Sequence, residues 1–302
     1  FIVLAAVWFA LVTGALEVAF VGARALLTEG FTRRTPHYVW MTPVAYVLLF
    51  VPAGLLLAAL HRWLPRLLSL RTAIGLLALA SAGSLLVLLA FDRLHPAALA
   101  LLAVGAAVQA ARMAAAYPVG FARLVRRGTI VLALGVAAGA AGVVGWRVGA
   151  ERMALAALGP ARAGAPNVLL IILDTVRAAN LSLYGYERPT TPRLERFARR
   201  GVVFERAIAP APWTLPSHAS MFTGRWPHEL STGWLTPLDD RFPTLAEAFR
   251  DAGYLTAGFT ANFHYTAAET GLSRGFIRYE DLPVGIGQIF RNAALTNTIA
   301  SL

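Results

Sequence analysis

The sequence predicts a multi-pass α-helical membrane domain followed by an α/β domain, and two contrasts along the chain support this fold class. Apolar residues make up 57% of the 302 residues, but the long apolar stretches all lie in the first half. The second half alternates short apolar runs with amphipathic stretches, a pattern typical of strands and helices in turn. We therefore expect a membrane domain over 1–148, a linker over 149–166 and an α/β domain over 167–302.

The membrane domain is predicted from five apolar stretches, each long enough at about 20 residues to cross a bilayer as a helix. They cover residues 1–23, 38–60, 72–91, 97–117 and 129–146. The first stretch is compatible with a signal peptide, but no distinct basic segment precedes it and four more stretches follow. The pattern therefore predicts five membrane-spanning helices.

Arginine supplies all of the strong positive charge, since the chain has no lysine and a formal net charge of +11. The connections after the second and fourth stretches contain Arg62, Arg66, Arg71, Arg112, Arg123, Arg126 and Arg127. The other two connections contain fewer arginines, namely Arg33, Arg34 and Arg93, with Arg24 at the end of the first stretch. By the positive-inside rule, the arginine-rich connections face the cytoplasm. This predicts a multi-pass protein of the inner or plasma membrane with residues 167–302 extracytoplasmic.

The composition also excludes several kinds of partner and site chemistry. A strongly basic chain can bind nucleic acid, but no basic stripe interleaved with aromatic residues is present, so we expect no nucleic-acid partner. The absence of cysteine excludes disulfides, thiolate metal sites and a cysteine nucleophile. Within the first apolar stretch, Glu17 is either a polar site facing the helix bundle or a residue near an interface.

The run 167–173 is unbroken, apolar and rich in branched residues, which is typical of a strand buried on both faces. It ends at Asp174. The carboxyl ends of strands in α/β sheets bind ligands and metals, so Asp174 is a candidate metal ligand. Capping of the following turn is the alternative role for this carboxylate.

Helices over 192–200 and 243–252, the latter capped by Thr244, alternate with strands over 202–208 and 255–260. This alternation predicts a doubly wound sheet, in which right-handed crossovers bring Asp174 and Thr214 to the same edge. Thr214 itself lies between Pro212 and Pro216. We expect Ser217 to cap a short helix that runs to Thr223 and ends at Gly224, and the N–H groups at such a helix start suit an anionic substrate.

Five ordered segments resemble the sulfatase family within the alkaline-phosphatase-like superfamily. They read NVLLIILDTVR at 167–177, LSLYGY at 181–186, TP at 191–192, TLPSH at 214–218 and FTG at 222–224. The resemblance implies an alkaline-phosphatase-like fold. The five predicted spans resemble the anchors of bacterial sulfatase-like phosphotransferases in architecture.

The resemblance also implies a site chemistry. In the family, a Cys or Ser in a Cys-x-Pro-Ser-Arg signature becomes formylglycine, whereas this chain has Thr214 and His218 at the first and last positions. Threonine cannot give the aldehyde, so the chain instead resembles the phosphoethanolamine and phosphoglycerol transferases and phosphodiester hydrolases of the superfamily. In those enzymes the threonine oxygen is both nucleophile and metal ligand.

By this resemblance, Thr214 is the nucleophile and binds a divalent metal ion (Ca, Mg, Mn or Zn) together with Asp174. His218 either donates to a substrate or departing oxygen or only packs near the helix start. The expected substrate is a sulfate or phosphate ester, which includes esters of lipids and glycans, and the acceptor is water or an alcohol.

Two departures from the family's sequence pattern favour an alternative function without catalysis. Thr175 replaces a frequent second carboxylate, and Ala179 lies where an Asp is common. The remaining family ligands, an Asp followed by His or Asn, would lie beyond residue 302, so we expect this chain alone to be catalytically incomplete. The alternative function is an inactive sulfatase-like membrane protein that binds a glycan, lipid or protein partner.

Overall fold

The computed structural model describes residues 1–27, 35–66, 68–90, 94–281 and 284–296. The chain divides into two compact units. The first unit comprises Phe1–Ala157, Phe259–Phe263 and Glu280–Leu302, and the second comprises Leu158–Gly258 and His264–Tyr279.

The first unit is built on a helix at each of the five predicted spans. These are α1 (Ile2–Leu27), α2 (Tyr38–Trp63), α3 (Leu70–Ala90), α4 (Pro96–Ala116) and α5 (Pro118–Ala157). By length and composition, α1, α2, α4 and α5 are able to cross a membrane, whereas the described apolar part of α3, Leu70–Leu86, is shorter. Arg33, Arg34 and Arg93 lie outside the described residues.

Helix α5 differs most from its prediction, because it is 40 residues long rather than confined to 129–146. Pro118 occupies its first turn, where the missing N–H has no intrahelical partner to lose. The helix then continues through the predicted connection and through 149–157 of the predicted linker. Arginine is frequent in the connection 118–128 and alanine is frequent in 149–157, and both residues favour helix over loop.

Small residues let α1 approach α2 closely. A side-chain carbon added to Gly14 would lie 2.4 Å from Pro43 Cα, and one added to Gly54 would lie 2.5 Å from Ala6 Cβ. Alanines also dominate the buried core of this unit, with Ala5, Ala6, Ala10, Ala45 and Ala73 fully buried. The two helix backbones therefore have no room for larger side chains at these positions.

Glu17 faces the interior of the first unit, as one of the two sequence interpretations expected, and is only 1% exposed. The Tyr46 hydroxyl donates a 2.7 Å hydrogen bond to Oε2, and the Ala294 N–H donates one of 2.8 Å to Oε1. Hydrogen bonds of this kind offset the cost of burying a polar group. Glu17 thus joins α1, α2 and the segment around residue 294.

We expect Gly14→Ala to destabilise the first unit, because its methyl group would overlap Pro43 of α2. Overpacking of this kind typically costs about 1–3 kcal/mol. Gly135→Ala on α5 is the matched control, since nothing lies within 4 Å of the added carbon and alanine favours helix. Thermal unfolding in detergent is the measurement, and equal melting temperatures for both variants would contradict the close packing.

His37, directly before α2, lies between two hydrogen-bond donors. Trp40 Nε1 is 3.0 Å from His37 Nδ1, and Arg147 Nη1 is 2.9 Å from His37 Nε2. Burial first, and then the positive charge of Arg147, lowers the pKa of His37 below 6.5, although Asp281 and Glu280 act in the opposite direction. The neutral ring can accept one of these two hydrogen bonds, whereas the imidazolium form carries a hydrogen on both nitrogens and accepts neither.

This arrangement predicts a pH dependence. A lowered pKa in the folded state favours the neutral ring, so the stabilisation is complete above about pH 6.5 and decreases as the pH falls below that value. We expect the melting temperature of the wild type to fall, relative to that of His37→Gln, between about pH 7.5 and about pH 5.5. Parallel pH profiles of the two proteins would contradict a role for His37.

Beyond the five long helices lie α6 (Pro192–Ala198), α7 (Thr214–Thr223), α8 (Leu245–Asp251), α9 (Phe263–Thr266) and α10 (Ile286–Asn292). The predicted helices over 192–200 and 243–252 are confirmed as α6 and α8. Thr244 caps α8 as expected, since its hydroxyl accepts the Glu247 N–H at 3.2 Å and its N–H donates to the Glu247 carboxylate at 2.7 Å. The predicted strand over 255–260 forms as β1 (Ala257–Phe259), paired with β2 (Arg278–Glu280).

The doubly wound sheet is not formed by the described residues, whose sheet has only the two strands β1 and β2. The predicted strands over 167–173 and 202–208 are irregular, and a turn at Glu205 and Arg206 interrupts the second. Their apolar side chains are exposed, with Leu169 at 83% and Ile208 at 88%. A central strand requires a hydrogen-bonded neighbour on each side and helices over both faces, and no described segment supplies these to 167–173.

Candidate active site

The candidate site is built on the start of α7. Trp213 has extended backbone angles and precedes the first helical residue, Thr214. The helix therefore begins three residues before the predicted cap, Ser217, whose N–H already donates to the Trp213 carbonyl at 3.1 Å. Proline is tolerated within a first helical turn, where N–H groups have no intrahelical acceptor, and this accommodates Pro216. The earlier start places the Thr214 hydroxyl at the positive end of the helix.

Packing on one side holds α7 in place. Leu215 and Ala219 are fully buried, and the Phe222 ring meets the Phe276 ring edge to face with centroids 5.9 Å apart. Gly224 ends the helix with φ of +65°, as predicted, because this left-handed conformation disfavours any residue with a side chain. The helix start is thus fixed relative to its own unit.

Asp174 lies in a turn after the irregular run 167–173. The following residue, Thr175, has φ of +60°, which is unusual for a β-branched residue. Backbone conformations of this kind concentrate at functional sites, where surrounding contacts maintain them. The turn redirects the chain at the position of the candidate carboxylate.

The structure brings Thr214 and Asp174 together, although 40 residues separate them. The Thr214 hydroxyl donates to the Asp174 carboxylate, at 3.4 Å from Oδ1 and 3.3 Å from Oδ2. Both distances exceed the usual range for an O–H···O bond, and they are nearly equal. The hydroxyl oxygen therefore faces the two carboxylate oxygens symmetrically, with both side chains only partly buried.

These oxygens suit a hard divalent cation. Two side chains whose oxygens lie 3.3–3.4 Å apart could together hold one divalent cation. Carboxylate and hydroxyl oxygens are also the ligand types that such cations prefer. Within the described part of the chain, no group of three or more His, Cys, Asp or Glu side chains is arranged to hold a metal. Asp174 and Thr214 thus fit part of a metal site.

His218 lies one turn after Thr214 and is 9% exposed. Its Nδ1 is 2.8 Å from the Thr214 carbonyl oxygen. A carbonyl only accepts hydrogen bonds, so Nδ1 carries the hydrogen and Nε2 is the nitrogen left for a substrate. The ring thus packs within α7, and donation from His218 to a substrate or departing oxygen stays a prediction.

The sequence interpretation did not single out an aromatic pair beside Thr214. The rings of Trp213 and Trp234 lie 5.3 Å apart with an interplanar angle of 34°. Both side chains are about half exposed, at 50% and 48%. The pair forms an apolar surface immediately before Thr214. Nothing in the local sequence around Trp234 indicates this contact, because it depends on the path of the intervening loop.

The segment that contains these residues is similar to a known protein family. Residues 166–286 match the profile of the sulfatase family, and this segment contains Asp174, Thr214 and His218. That part of the chain is therefore similar to the sulfatase family.

Individual relatives agree with this assignment. Arylsulfatase A of Bos taurus is 36% identical over 145 residues, covering 43% of this chain and 28% of the relative. Arylsulfatase A of Homo sapiens is 34% identical over 152 residues, covering 45% and 29%. The N-acetylgalactosamine-6-O-sulfatase of Bacteroides thetaiotaomicron is 30% identical over 105 residues, covering 33% and 20%. The aligned part thus spans less than a third of each of these relatives, and no solved structure matches the chain significantly.

Proposed function

We propose that this chain is part of a membrane-anchored enzyme that cleaves or transfers sulfate or phosphate esters, with Thr214 as nucleophile. The observation that carries the proposal is the Thr214 hydroxyl at the start of α7, facing the Asp174 carboxylate within the sulfatase-family segment. The relatives are named for sulfate esters, which makes this substrate class the first to test.

The helix start supports an anionic substrate. The first N–H groups of a helix have no intrahelical acceptor and point along the axis, where they stabilise negative charge. An ester oxygen bound there would lie beside the Thr214 hydroxyl. The Trp213 and Trp234 rings offer an apolar surface on which the alcohol part of the ester, such as a sugar or a lipid, can pack.

The reaction proceeds in two displacements. Thr214 Oγ1 attacks the phosphorus or sulfur atom, a new bond to Oγ1 forms, and the bond to the departing alcohol breaks. The hydroxyl proton passes to the Asp174 carboxylate, which already accepts its hydrogen bond. The departing oxygen takes a proton from water or from Nε2 of a protonated His218. Water or an acceptor alcohol then attacks the same atom and gives its proton to bulk water or to Nε2 of His218. The bond to Oγ1 breaks, and Thr214 Oγ1 takes back the proton held by Asp174.

A divalent cation held by Asp174 and Thr214 would supply the activation that a secondary alcohol needs, by lowering the pKa of the hydroxyl and neutralising charge on the ester oxygens. Threonine at position 214 and the absence of cysteine from the sequence also separate this mechanism from formylglycine chemistry. The nucleophile of the proposed enzyme is an unmodified side chain.

Membrane anchoring is supported by the four helices that are long and apolar enough to span a bilayer. The proposed organisation is a membrane domain over 1–148, a linker over 149–166 and part of a catalytic domain over 167–302. With the arginine-rich connections in the cytoplasm, the catalytic domain would lie outside the inner or plasma membrane. Substrates at that surface include lipid and glycan esters.

A second function follows from Ala179, which lies in the short 3₁₀ turn Ala178–Asn180, where the family resemblance implies an acidic residue. In this alternative the domain has lost catalysis and binds a glycan, lipid or protein. It predicts that the wild type, supplied with divalent metal, turns over no ester.

The catalytic proposal is tested on the full-length, metal-supplied protein with aryl sulfates and bis-aryl phosphates. We expect Thr214→Ala to lower kcat by at least about 1,000-fold, and Asp174→Asn to have an effect of similar order because the two groups act as a unit. Thr214→Ser retains a hydroxyl and keeps measurable turnover. Thr223→Ala, at the other end of α7, is the control and remains close to wild type.

Two results would contradict the proposal. Unchanged turnover in Thr214→Ala would exclude Thr214 as nucleophile. Absence of turnover in the wild type, together with specific retention on a glycan or lipid, would favour the inactive binding protein instead.

A further inference from the structure

The first turns of α5 form one side of an open groove of about 530 Å³. It is lined by Pro118, Val119, Ala122, Arg123, Arg126 and Arg127. The three arginines are spaced three and four residues apart, so their side chains lie on one face of the helix. We call this feature the arginine groove.

The positive charge of the arginine groove has no acidic counterpart nearby in the sequence, which contains no Asp or Glu between Asp92 and Glu151. Within the described residues, none of the three guanidinium groups forms an ion pair with a carboxylate. Three adjacent cations repel one another unless an anion lies between them. The groove therefore favours an anionic ligand.

The opposite face of α5 is fixed against α1. Phe121 packs edge to face on Phe1 and on Trp8, with ring centroids 6.3 Å and 6.0 Å apart. Val125 is fully buried, and a carbon added to Gly128 would lie 2.6 Å from Trp8 Nε1. These contacts fix the arginine groove at the end of the unit where α1 begins.

Apolar side chains surround the arginines without being covered. Tyr117 is 71% exposed, Val119 is 70% exposed and Leu124 is 52% exposed. An exposed aromatic residue next to basic residues, at the end of an apolar helix, is typical of a membrane–water interface. A soluble anion would leave these apolar groups in water, whereas a lipid would cover them.

We propose that the arginine groove binds the phosphate of an anionic phospholipid in the leaflet on this side of the membrane. Guanidinium groups recognise phosphate through paired, charge-assisted hydrogen bonds, and the acyl chains cover Tyr117 and Val119. The proposal rests on membrane anchoring, which the preceding section also proposes, but not on the chemistry of Thr214. The positive-inside rule places the groove on the cytoplasmic side.

Native mass spectrometry of the full-length protein in neutral detergent tests this site with phosphatidylglycerol and phosphatidylcholine. The test variant is Arg123→Gln/Arg126→Gln/Arg127→Gln. Arg62→Gln/Arg66→Gln/Arg71→Gln removes the same charge from another predicted cytoplasmic connection and serves as the matched control. Each arginine near an anionic lipid is worth about a factor of five, so we expect the triple substitution in the groove to weaken phosphatidylglycerol binding by roughly 100-fold at low salt. The matched control retains the wild-type preference.

Each of the other possible results also decides whether the proposed lipid site exists. Equal loss in both triple variants means diffuse charge attraction and overturns the site, as does an unchanged preference in the groove variant. Displacement of the lipid by inorganic phosphate at equal concentration would identify a soluble-anion site instead. Single Arg→Gln substitutions give the same answer through stepwise losses if the triple variant does not fold. Membrane anchoring is tested separately by extraction with alkaline carbonate, and release of the protein from membranes would contradict it.

Discussion

The contact between the Thr214 hydroxyl and the Asp174 carboxylate is the interaction on which the proposed chemistry depends. It joins the turn after residues 167–173 to the first residue of α7. Each partner alone has a common structural explanation, since a carboxylate often caps a turn and a hydroxyl often precedes or begins a helix. Together they form an oxygen pair at the positive end of a helix, inside a sulfatase-family segment. This combination suits an anionic ester and a cation.

The first unit depends on a different constraint, the close approach of its helix backbones. Gly14 and Gly54 admit the neighbouring helix where any larger residue would collide. Polar groups within this unit are joined by hydrogen bonds, as with Glu17 and Tyr46, whereas the three arginines of the arginine groove are directed away from the packed face. Buried polar groups satisfied internally and charged groups kept at the ends are the distribution that a bilayer requires. This distribution of polar and charged groups therefore supports both the proposed membrane anchoring and the proposed lipid binding.

Elements with local determinants were predictable from the sequence. The five long helices follow from apolar length, α8 follows from its Thr244 and Glu247 capping pair, and the end of α7 follows from Gly224. The strand predicted over 167–173 was wrong for the described residues because a strand depends on partners that its own sequence does not contain. The cap predicted at Ser217 was wrong by four residues, since Trp213 is the observed cap and helix boundaries vary with the preceding backbone. Asp174 and Thr214 were both identified as candidates, and their proximity came from the fold rather than from the predicted sheet edge.

The most direct test of the central claim is detection of the covalent intermediate on Thr214. The full-length protein, supplied with divalent metal, would be incubated with an activated aryl phosphate or aryl sulfate, quenched in acid, digested and analysed by tandem mass spectrometry. The account predicts a phosphoryl or sulfuryl group on Thr214 in the wild type, and its loss in Thr214→Ala. Turnover that proceeds without modification of the peptide containing Thr214, or with modification of another residue, would contradict it.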